Sequence, residues 1–81
     1  MYYWNARNSN TELRGYCTAK TLQTATRDAF YYLRNTLCGE GRISIYDCDP
    51  SAEAAESGRW PEPVRRYMCD ISTKFKIIQV N

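Results

Sequence analysis

The feature that most restricts this sequence is a single apolar stripe at helical spacing in its second quarter. Small or apolar side chains recur there at three- and four-residue steps: Leu22, Ala25, Ala29, Leu33 and Leu37. This spacing predicts an amphipathic helix from Leu22 to about Leu37, with Thr21 as its N-cap and Gly39 after its end. We expect the stripe to face a sheet, where its two alanines allow a close approach.

The segment before this helix has the pattern of a β-hairpin. Tyr2 to Arg7 alternates and is rich in aromatic side chains, which favours a strand. A turn cluster, residues 8–11, separates it from a second alternating segment, Leu13 to Ala19. We predict two paired strands, with Trp4 and Ala6 on a common face.

Two or three further strands are predicted after the helix. Arg42 to Cys48 is the third strand, Arg65 to Ser72 is the fourth, and Lys74 to Val80 continues the fourth or folds back as a fifth. Between the third and fourth strands, residues 51–58 form one short helical turn that ends at a glycine. The proline-containing segment Trp60–Pro63 is then extended.

Strands on both sides of one helix predict an α+β fold. We expect a single domain over residues 1–81, an antiparallel sheet of four to five strands in the order β-β-α-β-β, with the main helix packed on one face. The chain is 43% hydrophobic and 25% charged, which is ordinary globular composition. Its length suits one small core.

The reactive side chains of an enzyme are scarce in this chain. Histidine is absent from the sequence, so the commonest general acid/base and the commonest metal ligand are missing. The cysteines at 17, 38, 48 and 69 form no C-x-x-C pair, and we interpret them as free, buried side chains. The acidic residues after the third strand match no calcium loop and suggest a solvated loop. We therefore expect no catalytic site, no metal site and no cofactor.

The N-terminal segment lacks the basic and long apolar parts of a signal peptide. No stretch approaches the roughly 20 apolar residues needed to cross a bilayer. These patterns predict a cytoplasmic protein without a membrane partner.

The first candidate binding surface is the outer side of the predicted helix. Lys20, Arg27 and Arg34 are seven residues apart, and Tyr31 lies between the last two. At this spacing they form a basic stripe with an aromatic side chain inside it, opposite the apolar stripe. Guanidinium groups suit phosphates or carboxylates, and tyrosine adds contact area. The stripe is either a solvated face or a surface for an acidic protein or a nucleic-acid backbone.

The second candidate surface surrounds Trp60, which lies in the irregular segment before the fourth strand. A tryptophan in such a segment either fills the core or anchors an interface. Arg59, Trp60, Arg65 and Arg66 would form a second basic and aromatic patch if their side chains share a surface.

Two short motifs lie inside the predicted order of elements. The helix begins with a T-L-x-x-A-x-x-x-A pattern at Thr21, and the following strand has an I-x-I-x-D pattern at Ile43. With the N-terminal hairpin, this layout resembles that of compact proteins of phages and mobile elements, some anti-CRISPR inhibitors among them. The resemblance covers most of the chain as topology. It implies a protein that blocks a nucleoprotein complex of the host bacterial cell through basic and aromatic surface residues.

The leading hypothesis is therefore a non-enzymatic inhibitor that acts by steric occlusion, as a monomer or homodimer, and specifically an anti-CRISPR protein of a phage or mobile element. One alternative is a small nucleic-acid-binding module, since exposed aromatics on a sheet can stack bases and a basic stripe can follow phosphates. Another is a homo-oligomerising structural or adaptor protein that uses its C-terminal strand as an edge.

Overall fold

A computed structural model describes residues 1–10, 15–70 and 76–79 of the chain. The elements are β1 (Tyr2–Arg7), β2 (Cys17–Ala19), α1 (Leu22–Asn35), β3 (Gly41–Tyr46), α2 (Pro50–Ser57), β4 (Arg65–Asp70) and β5 (Lys76–Gln79). The predicted α+β order is confirmed, and the last segment folds back as a fifth strand.

The strands form one sheet in the order β2-β1-β3-β4-β5, and every neighbouring pair is antiparallel. The central pair, β1 with β3, runs in register from Tyr3 opposite Tyr46 to Arg7 opposite Arg42. Directly opposed residues of antiparallel strands point to the same side of a sheet. The sheet therefore has an inner face, which α1 covers, and an outer face on its other side.

The core lies between α1 and the inner face. Ala25 and Ala29 have no exposed surface, so the helix backbone lies close to the strands, as predicted. The buried cluster consists of Trp4, Ala6, Ala19, Ala25, Ala29, Leu33, Leu37, Ile43, Ile45 and Cys69. A large aliphatic side chain buried in this way contributes about 1.5–3 kcal/mol to stability, which matters for a sheet covered by a single long helix.

Helix α1 begins as predicted and ends earlier than predicted. The Thr21 hydroxyl oxygen accepts a hydrogen bond from the Thr24 backbone N–H at 3.0 Å, the expected N-cap. The last helical residue is Asn35, and the Gly39 N–H donates to the Leu33 carbonyl at 2.9 Å. Leu37 lies beyond the helix yet is only 2% exposed. The predicted end at Leu37 was wrong because this side chain reaches the core from the turn.

The segment after β3 is more regular than predicted. Strand β3 ends at Tyr46 rather than at Cys48, and α2 has eight residues rather than a single short turn. Asp49 is its N-cap, with the side chain accepting from Ser51 N–H at 3.1 Å. Gly58 ends it in the left-handed conformation, at φ 74°.

The four cysteines are free, but the prediction that they are buried holds only for Cys69. Cys38 is exposed because it lies in the turn after α1, and Cys17 and Cys48 are half-buried. No helix in the described ranges is long and apolar enough to cross a membrane.

Candidate binding surfaces

The outer side of α1 presents three of the four residues predicted for the first surface. Arg27, Tyr31 and Arg34 are all exposed, and Tyr31 has 71% of its surface open to solvent. The Arg27 guanidinium lies 3.4 Å from the carboxylate of Asp28. An exposed ion pair of this kind is worth little, so it leaves Arg27 able to exchange partners. We call these three residues the helix surface.

Lys20 does not belong to the helix surface, which corrects the prediction. It is exposed, but it precedes the N-cap Thr21 and lies outside α1. Seven-residue spacing aligns side chains only where the backbone is helical, and here the backbone is extended at the N-cap.

A shallow groove of about 390 Å³ borders the helix surface. It is lined by Trp4, Asp28, Tyr31, Tyr32, Asn35 and Thr36. The ring centroids of Trp4 and Tyr32, two of these lining residues, are 6.0 Å apart. Among the side chains that the structure describes, the indole N–H of Trp4 is buried without a hydrogen-bond acceptor.

Trp60 lies on the outer face of the sheet as part of an aromatic cluster with Tyr16 and Tyr46. Its indole N–H donates to the hydroxyl oxygen of Tyr46 at 3.1 Å. The centroid of its ring lies 6.5 Å from that of Tyr46, in an edge-on contact, and 6.4 Å from that of Tyr16. The centroids of Tyr16 and Tyr46 are 5.7 Å apart. Tyr46 is only 6% exposed and Trp60 is 50% exposed. Trp60 thus covers Tyr46 with one part of its ring and leaves the rest open.

The loop that carries Trp60 is restrained at both ends. Gly58 ends α2 two residues before Trp60, and the Val64 N–H donates to the Ile45 carbonyl at 2.8 Å just after it. Pro61 and Pro63 lie between, and each fixes its own φ and limits the preceding residue. The position of the indole is therefore set by the backbone as well as by its ring contacts.

Tyr16 remains a neutral phenol in this cluster. Burial raises the pKa of Tyr16, and the neighbouring Tyr46 raises it further by charge repulsion and by a hydrogen bond. A neutral hydroxyl suits the apolar contacts of the cluster and keeps its proton available as a hydrogen-bond donor.

The arginines predicted around Trp60 do not share one surface. Arg65 lies opposite Ile45, so it points to the inner face, where it is half-buried. Arg66 lies opposite Ser44 on the outer face, with Glu62 at 3.9 Å. Consecutive strand residues point to opposite faces, so Arg65 leaves the predicted patch. Arg59 is exposed and precedes Trp60 in the loop.

Two outer-face arginines were missed by the sequence analysis. Arg7 and Arg42 are direct cross-strand partners at one end of the central pair, and both are exposed. They line a cleft of about 470 Å³ together with Asn8, Ser9, Glu40, Gly41, Met68 and Cys69. Strand alternation places Arg7 and Arg42 on the face of the sheet away from the core, but it does not show that they are direct cross-strand partners.

The outer face combines aromatic, arginine and small polar side chains. It carries Tyr3, Asn5, Arg7, Tyr16, Thr18, Arg42, Ser44, Tyr46, Arg66 and Met68, with Trp60 over Tyr46. None of these described side chains is a carboxylate, but Glu40 and Glu62 lie at the margin and Asp49 is close enough to Tyr16 to act on it electrostatically. In the described part of the chain, α1 is the helix that packs most extensively on the strands, and it covers the inner face.

The helix surface and the outer face lie on opposite sides of the molecule, because α1 packs on the inner face of the sheet. They cannot form one continuous interface. No group of three or more Cys, Asp or Glu side chains in the described ranges is placed to hold a metal ion.

Comparison of the chain with family models, with curated proteins and with solved structures finds no match.

Proposed function

We propose that this protein is a non-enzymatic module that binds nucleic acid on the outer face of its sheet. The observation that carries the proposal is the placement of Arg7, Arg42 and Arg66 on the same face as the Trp60 cluster. Guanidinium groups bind phosphates through paired hydrogen bonds, and nucleic-acid bases stack on aromatic rings.

The arginine end of the outer face suits an anionic ligand. Arg7 and Arg42 lie directly opposite each other on paired strands, so this end of the face carries two guanidinium groups. A phosphate at this end of the outer face would accept charge-assisted hydrogen bonds from guanidinium groups. Within the described ranges, Arg42 has no carboxylate at ion-pair distance.

The spacing along β3 suits a polymeric ligand rather than a single anion. Arg42 and Tyr46 are four residues apart on this strand, and both point to the outer face. At strand geometry this corresponds to about 13 Å. Trp60 covers Tyr46, so a ligand at the aromatic end meets the Trp60 ring. A ligand that spans both ends would carry negative charge at one end and a flat apolar group at the other, and nucleic acid repeats both.

Charge reversal at one arginine tests this proposal. Labelled oligonucleotides are titrated with protein at low salt, and binding is followed by fluorescence anisotropy. Arg42→Glu should weaken binding about 10-fold or more, since a charge-assisted contact is replaced by repulsion. Arg27→Glu is the matched control, because it makes the same charge change on the opposite side of the molecule. The proposal fails if wild type does not bind, or if both variants weaken binding equally.

A second candidate function is occlusion of a bacterial nucleoprotein complex through the helix surface, as an anti-CRISPR inhibitor acts. Tyr31, with its 71% exposure between Arg27 and Arg34, favours it. Exposed aromatic and arginine side chains are the residues that most often anchor protein interfaces.

This second candidate is tested by phage plating on bacteria with an active CRISPR system that express the protein. Wild type should restore plating, the double change Arg27→Glu with Arg34→Glu should abolish the effect, and Arg42→Glu should retain it. Full activity of the double variant would show that the helix surface is not the inhibitory one.

A further inference from the structure

We infer that the outer face selects single-stranded nucleic acid, because Trp60 forms a preset platform for one unpaired base. This inference rests on the proposed function and specifies its ligand.

The indole of Trp60 is held in one orientation before any ligand binds. Its N–H donates to Tyr46 at 3.1 Å, and its ring has edge-on and tilted contacts with Tyr46 and Tyr16. The acceptor, Tyr46, is itself buried. A side chain already ordered loses little conformational entropy on binding, so contact with a base is gained at low cost.

The exposure of Trp60 is what a stacking platform requires. Half of its surface remains in water although its polar N–H is already satisfied within the protein. The rest of the indole ring is apolar, so covering its open part is favourable. A flat ring matches the face of a base, and stacking of this kind tolerates any sequence.

A duplex cannot use this platform without opening. Its bases stack on one another, so their faces are hidden, and a protein reaches them only when a base is unpaired or flipped out. The arginines contact the phosphates of either form. Selection for a single strand must therefore come from Trp60 and its cluster, while affinity for the backbone comes from Arg7, Arg42 and Arg66.

The test compares three labelled probes: a single strand of about 12 nucleotides, the same strand with abasic sites in place of its bases, and the matching duplex. The duplex carries about twice as many phosphates, so its binding is compared per phosphate. Wild type should bind the base-bearing single strand roughly 5- to 100-fold more tightly than the abasic strand. It should also prefer the single strand to the duplex.

Two variants of Trp60 assign this preference to the ring. Trp60→Leu keeps an apolar cover over Tyr46 but has no aromatic face, and it should bind the base-bearing and abasic strands almost equally. Trp60→Phe keeps a smaller ring and should retain part of the preference. Tyr31→Ala removes another exposed aromatic side chain, on the helix surface, and should leave the preference unchanged. Thermal unfolding of each variant, followed by circular dichroism, shows that the fold is kept.

The outcomes separate the inference from the proposed function. Equal binding of all three probes by wild type, with loss in Arg42→Glu, would overturn the inference and leave nucleic-acid binding in place. An unchanged preference in Trp60→Leu would also overturn it. Absence of binding to every probe would overturn both.

Discussion

At the scale of single residues, Cys38 has a backbone conformation that its side chain disfavours. Its φ is 57°, in the left-handed region, where a Cβ costs about 1–2 kcal/mol. Its side chain is exposed, so the thiol offers little packing in return. We predict that Cys38→Gly raises the free energy of unfolding by about 0.5–1 kcal/mol, after the entropy cost of a glycine. Urea denaturation measures this. Cys38→Ser keeps the Cβ and should show no gain; an equal gain in both variants would contradict the explanation.

Tyr16 should make the stability of the folded protein depend on pH in the alkaline range. Its pKa is raised above the usual 10.0, chiefly by burial, so the folded state holds the phenol proton more tightly than the unfolded state does. The stabilising effect is complete below the usual value and is lost as pH rises through the raised pKa. Thermal unfolding measured across this range should show a loss of stability that is smaller in Tyr16→Phe. An identical alkaline loss in the variant would assign it to other groups.

At the scale of elements, the pairing of β1 with β3 depends on the absence of a side chain at Gly41. A Cβ placed there would lie 2.6 Å from the Arg7 carbonyl oxygen and 3.0 Å from a Leu33 methyl group. We predict that Gly41→Ala lowers the free energy of unfolding by about 1–3 kcal/mol, since backbone and core must shift. Gly58→Ala is the comparison in urea denaturation, because its φ is also positive but no atom lies within 4 Å of the added carbon. Equal losses would show that conformation, not crowding, restricts Gly41.

The limits of the elements show which signals could be read from the chain. The caps at Thr21 and Gly58 and the alternation of β1 and β3 are local, and local patterns located them well. The end of α1 was missed because Leu37 has helical spacing but is buried from the turn, where the Gly39 amide bonds to the Leu33 carbonyl. Whether Leu37 continues the helix or lies in the turn depends on how it packs in the core, and the local sequence does not show this.

At the scale of the whole molecule, the sequence predicted the layers better than the surfaces. Strand alternation alone places Arg65 and Arg66 on opposite faces of the sheet. The sequence was therefore enough to show that both cannot belong to the Trp60 patch. The contacts of Trp60 could not be predicted from the sequence, because Tyr16 and Tyr46 come from other segments of the chain and meet Trp60 only once the sheet is formed. The same holds for Arg7 and Arg42, which the register of β1 with β3 places opposite each other.

The placement of charge on two opposite sides of the molecule predicts how binding responds to salt. If Arg7, Arg42 and Arg66 each neutralise one phosphate, the logarithm of the binding constant for a single strand should fall against the logarithm of salt concentration with a slope of about −2. Arg42→Gln should make this slope shallower by about 0.7, since one fewer counterion is released. Arg27→Gln removes an equal charge from the helix surface and should leave the slope as it is. Anisotropy titrations over a series of salt concentrations measure all three slopes. A slope that falls equally in both variants would mean that net charge, rather than contact on the outer face, governs binding.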